Sequence, residues 1–142
     1  MPLVGGGGAG NVAGGTNPAG TGTSLNYVGN LCYAYSGPFA DSQTPQTVLN
    51  FTTGSELIKG IMQFNAFVDE ADPSAGSRGT CTIEMDGQVI AILKADGLED
   101  DTPNTCSQEL VVPPFTHLTA KIDSSGTTAT HKATVLFTGE IY

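Results

Sequence analysis

The run Thr80-Cys81-Thr82-Ile83-Glu84-Met85-Asp86-Gly87-Gln88-Val89-Ile90-Ala91-Ile92-Leu93-Lys94 decides the fold. Its first six residues alternate. Cys81, Ile83 and Met85 fall on one side and Thr80, Thr82 and Glu84 on the other, the period-two pattern of a half-buried strand. Asp86-Gly87 supplies two residues tolerant of positive φ, which a two-residue hairpin turn requires. Val89 to Lys94 returns almost continuously apolar, as expected of a central strand covered on both faces.

The same period continues on either side. From Leu57 to Val68, one face carries Ile58, Gly60, Met62, Phe64, Ala66 and Val68. The other carries Lys59, Gln63 and Asn65, with Ile61 and Phe67 as apolar exceptions. Thr116 to Ile122 aligns Leu118, Ala120 and Ile122, and Ser124-Ser125-Gly126 forms the next turn. His131 to Tyr142 aligns Ala133, Val135, Phe137, Gly139 and Ile141. Shorter strands are expected over Leu31–Tyr35, Thr47–Thr53 and Gln108–Val112. That makes about eight strands at all-β spacing, with no helical stripe anywhere. An immunoglobulin pattern calls for a buried Trp, and the chain contains none. The expected fold is therefore all-β: one jelly-roll-like β-sandwich over residues 31–142.

Residues 1–30 are different. They contain ten of the 19 glycines, and the first charged residue is Asp41. A segment so poor in apolar side chains cannot offset its own ordering entropy. It is expected to be an extended arm held between neighbouring chains, the plain alternative being a flexible linker. Glycine suits such an arm because backbone can then approach backbone closely.

Charge bounds the function. Fourteen acidic residues against five basic ones give a net charge of −9 in 142 residues. Five scattered cations cannot neutralise a run of phosphates, so no nucleic-acid partner is expected. No 18-residue apolar run exists, so no membrane-spanning helix is expected. Met1-Pro2-Leu3-Val4 followed by glycines lacks the basic and apolar regions of a signal peptide.

The residues that could carry chemistry are few. Cys32, Cys81 and Cys106 are an odd set without metal-site spacing, and Cys81 falls on an inward strand position. A Cys81–Cys106 disulfide is conceivable, but the plain reading is buried thiols. His117 and His131 read as rim histidines on strands flanking one turn. The acidic stretches Asp69-Glu70-Ala71-Asp72 and Leu98-Glu99-Asp100-Asp101 could gather oxygens around Ca²⁺, yet neither has the spaced calcium-loop pattern. They read as solvated charge. Glu84 and Asp86, two apart on one strand face, are the best pair for a hydrolase, against a plain reading as a solvent-facing hairpin end. Gly5-Gly6-Gly7-Gly8-Ala9-Gly10 lacks the strand, Lys-Ser/Thr and helix of a phosphate loop. Asn50-Phe51-Thr52 fits the glycosylation pattern but lies inside a strand. No catalytic residue, metal or cofactor site is expected, and the chain does not read as an enzyme.

The layout resembles a known family. The Gly-rich opening through Gly20-Thr21-Gly22-Thr23-Ser24-Leu25-Asn26-Tyr27-Val28-Gly29-Asn30 precedes a compact acidic β-domain. It is similar to the small capsid decoration, or cement, proteins of tailed bacteriophages and related double-stranded DNA viruses. Phe51-Thr52-Thr53-Gly54-Ser55-Glu56 leading into Leu57–Val68, then Cys81–Lys94, is similar to trimeric jelly-roll sandwiches. The resemblance implies a non-enzymatic virion structural protein, assembled in the host cytoplasm and forming a homotrimer. Its arm would bind the major capsid protein or other virion subunits. The competing expectation is a receptor- or glycan-binding module of a fibre, with Tyr33, Tyr35 and Phe39 as an exposed aromatic platform.

Overall fold

The computed structural model describes residues 25–40, 44–68, 77–97, 104–124 and 131–142. Glycines 5–22, both acidic stretches and Ser125-Gly126 lie outside the described residues. Ten strands follow in chain order: β1 (Asn26–Val28), β2 (Leu31–Tyr35), β3 (Phe39–Ala40), β4 (Gln46–Thr52), β5 (Ile58–Val68), β6 (Ser77–Met85), β7 (Gln88–Gly97), β8 (Asn104–Val112), β9 (His117–Ser124) and β10 (His131–Ile141). The eight expected strands are β2 and β4–β10, and β1 and β3 are short additions. Because β1 pairs with β2 across the Gly29-Asn30 turn, the sandwich takes in residues 25–30, which the sequence reading had placed in the arm.

The pairing is nested around one turn. Asp86 (φ 48°) and Gly87 (φ 82°) close the β6–β7 hairpin with the two positive dihedrals expected of them. Outside that hairpin β5 pairs with β8, β4 with β9 and β2 with β10, all antiparallel. One long hairpin is thus folded over so that its successive pairs alternate between two layers. Contacts of β5 with β10 and of β6 with β9 complete the layers. One sheet runs β1-β2-β10-β5-β8, with β3 also on β10, and the other runs β4-β9-β6-β7. This is the two-Greek-key jelly roll.

The core lies between the layers and is built from the alternation. Ile58, Met62, Phe64 and Ala66 of β5 face Cys81 and Ile83 of β6 and Leu118, Ala120 and Ile122 of β9, with Val135 and Phe137 beside them from β10. A register shift between Thr47 and Leu49 lets the adjacent Val48 and Leu49 both be buried.

One end of the sandwich is tied by short, hydrogen-bonded loops. Thr53 N donates to Thr116 O (3.0 Å), Thr116 N donates back to Thr53 Oγ1 (2.9 Å), and Thr53 Oγ1–H donates to Pro113 O (2.8 Å). Asp86 N donates to His117 O (2.8 Å), and His117 N donates to Asp86 Oδ1 (2.9 Å). Asp86 therefore fixes the hairpin tip to the start of β9 while holding a left-handed conformation that Ala resists. Asp86→Ala is expected to cost about 2 kcal/mol in a denaturant titration, whereas Asp86→Asn, which keeps the acceptor and tolerates positive φ, stays near wild type.

Candidate interaction surface

Of the residues singled out for chemistry, Glu84, Asp86 and His117 hold structural partners. Glu84 is paired to Lys121 of β9, Oε2 to Nζ 3.0 Å, and Asp86 is occupied by the β9 backbone. The two carboxylates are thus drawn to separate partners. His117 Nε2 bonds Asn50 Oδ1, which engages the side chain of the glycosylation-like motif on β4. His131 opens β10 opposite Val68. Among the described residues, no group of three or more His, Cys, Asp or Glu converges as a metal site would need. No helix of the described residues is long and apolar enough to cross a membrane.

The three cysteines are free thiols. Cys32 and Cys81 are core residues at 2% and 0% exposure, and burial pushes each thiol up to about 12. Proximity to Cys106, on the facing sheet, adds to the rise at Cys81, whereas the Gly139 backbone partly offsets it at Cys32. Tyr27 is likewise raised to about 12, chiefly by burial. Thiols held this far up are protonated at neutral pH and are poor nucleophiles. The sign follows from linkage. The folded chain keeps protons that the unfolded chain loses above about pH 9, so this stabilisation is complete below pH 9 and drains away toward pH 12. Thermal melts are expected to show Tm falling by roughly 5–10 °C between pH 8.5 and 10.5, and Cys32→Ala with Cys81→Ala should flatten that slope.

The aromatic platform forms only in part. Tyr33 and Tyr35 lie side by side on the outer face of β2, with ring centroids 4.9 Å apart and planes tilted by 37°. Phe39 leaves that face: after Gly37-Pro38 it enters β3 opposite Ala133 and packs against the core.

The expectation of a central β7 is wrong, and the correction locates the most unusual surface of the chain. Among the described residues β7 is the edge strand of its sheet, paired with β6 alone. Leu93 and Ala95 point into the core, but Val89, Ile90 and Ile92 are 55%, 44% and 55% exposed. Ile90 is the extra residue of a bulge, since Ile83 pairs with Ala91 while Glu84 pairs with Val89. β8 is the edge of the other sheet on the same side, and its Val111 is also 55% exposed. Between the two edges lies an open cleft of about 480 Å³, lined by Met85 and 90–92 on one side and 108–111 on the other, with polar groups of Gln108 and Glu109 among the apolar ones. An apolar run reads alike whether a sheet or another polypeptide covers it. Sequence periodicity therefore had no means of separating a central strand from a sticky edge.

Neither protein-family models nor curated proteins yield a match to this chain. Solved structures do. The chain is similar to a chain in the structure of the infectious bursal disease virus Gx strain, at 16% identity and a TM-score of 0.53, over 78% of this chain and 32% of that one. It is also similar to a chain of the T13 infectious bursal disease virus particle (16% identity, TM-score 0.49, over 79% and 31%). A third match is to the VP2 subviral particle of the same virus (15% identity, TM-score 0.48, over 82% and 34%). The chain spans about a third of the length of these structures. At such identities the first likeness supports the jelly-roll sandwich itself.

Proposed function

We propose that this chain is a non-enzymatic structural protein of a virus particle, a capsid decoration or cement protein. In this reading it self-associates through its sandwich, a trimer being the expected form, and binds neighbouring capsid subunits through its Gly-rich arm. The observation that carries the reading is the β7–β8 edge, where Val89, Ile90, Ile92 and Val111 are exposed. Such a surface is suited to contact rather than to catalysis. The fold likeness to a chain in the infectious bursal disease virus Gx strain structure agrees with it. A tethered arm would add a second contact to each subunit and raise overall avidity through effective concentration. Net negative charge would keep densely covered particles from sticking to one another.

The test removes residues 1–24 and measures occupancy on purified particles of the source virus, with circular dichroism to verify the sandwich. The expected result is a loss of at least tenfold in occupancy; unchanged occupancy refutes the arm's role. The Tyr33–Tyr35 pair favours a second reading, a glycan- or receptor-binding module. It predicts glycan-array signal that Tyr33→Ala abolishes, and a silent array counts against it.

A further inference from the structure

Among the described residues one sheet ends on β1 and β8 and the other on β4 and β7, and these ends differ. β1 is only three residues long. β4 exposes Thr47, Asn50 and Thr52, all polar. β8 carries Glu109 and runs into Pro113-Pro114. β7 is ten residues long, and from Gln88 to Leu93 it holds neither a charge nor a proline. Charges, prolines, shortness and bulges are the means by which edges avoid unwanted strand pairing, and between Gln88 and Leu93 β7 has only the Ile90 bulge. An edge whose exposed side chains, Val89, Ile90 and Ile92, are apolar suits an extended segment by strand addition, with backbone bonds to the edge and side chains beside Val111.

We infer that the β7–β8 cleft receives residues 1–24 of a second copy of the chain as an added strand. This rests on the assembly reading above and names the surface that the arm would occupy. Length and exit point support it. The described chain begins at Leu25, beside β1, at the opposite edge of its sheet from β8. Twenty-four extended residues reach ~80 Å, enough to cross to an adjoining molecule. Charge supports it as well. The segment is uncharged, as is β7 from Gln88 to Leu93, so it approaches without the repulsion that two bodies of net charge −9 otherwise feel. Its glycines permit close backbone approach, while Leu3, Val4 and Val12 offer apolar side chains to Ile90, Ile92 and Val111. Donor and acceptor edges lie on opposite sides of each copy, so the contact is head-to-tail and closes into a ring when the rotation permits.

The test uses the full chain with Val4 replaced by photoreactive benzoylphenylalanine, as an equal mixture of ¹⁴N- and ¹⁵N-labelled protein. After irradiation, cross-links from position 4 should map to residues 88–92 or 108–111, with about half joining unlike isotopes. Ile92→Lys should reduce them at least tenfold while circular dichroism shows the sandwich still folded, because Ile92 is exposed; Val111→Lys should do the same. Cross-links confined to like isotopes, or none at all, overturn the inference. Cross-links between copies at another face overturn the assignment of the cleft while leaving arm-mediated assembly standing.

Discussion

Gly60→Val is expected to lower stability by about 3–4 kcal/mol and Tm by roughly 10–15 °C, read by denaturant and thermal unfolding. A Cβ at Gly60 would sit 2.7 Å from two ring carbons of Phe137 and 2.8 Å from the Thr138 carbonyl oxygen. Neither can give easily. Gly60 is paired on both sides, with Gly139 of β10 and Leu110 of β8, so its backbone is held in mid-sheet. Phe137 is fully buried and packs against Phe51, with centroids 5.4 Å apart. Gly60→Ala already forces the ring to shift and should fall between wild type and Gly60→Val. Because total stability for a domain of this size is on the order of 5–15 kcal/mol, the valine variant is expected to populate unfolded chains at 37 °C.

Phe137→Ala should be as damaging for the opposite reason. Removing a fully buried ring from between β5 and the facing sheet leaves a cavity, at a cost of about 3–5 kcal/mol. The two sites share one space, so their effects should not add. In Phe137→Ala with Gly60→Val, the valine methyls enter the vacated volume, and the double variant should be at least about 1 kcal/mol more stable than the sum of the single losses. Simple additivity would show that the Phe137 ring is not what makes glycine necessary at residue 60.

How far the sequence could be read follows from what alternation measures. It reports which side of a strand meets apolar material, so the inward sets of β5, β6, β9 and β10 were legible, down to Gly60 lying in the core. Asp86-Gly87 was legible because only a tight hairpin needs two positive dihedrals in succession, and that hairpin is the innermost of the nested pairs. Alternation does not report strand neighbours, so it misplaced Val89–Lys94 at the sheet centre. Bulges also hide from it, because Val48-Leu49 and Val89-Ile90 each break the period at one residue. Glu84 and Asp86 looked like a pair on one strand because their true partners, Lys121 and the His117 backbone, lie on β9. The exposed edge was therefore present in the sequence only as an apolar excess on β7, visible once the topology set β7, among the described residues, at the end of its sheet.

The exposed β7–β8 edge is expected to hold copies of the chain together. Sedimentation velocity of the full chain from 1 to 100 µM tests it most directly. A single closed oligomer of defined copy number should dominate at the upper end, and Ile92→Lys should return it to monomer. A monomer of about 14.5 kDa at every concentration would contradict the account.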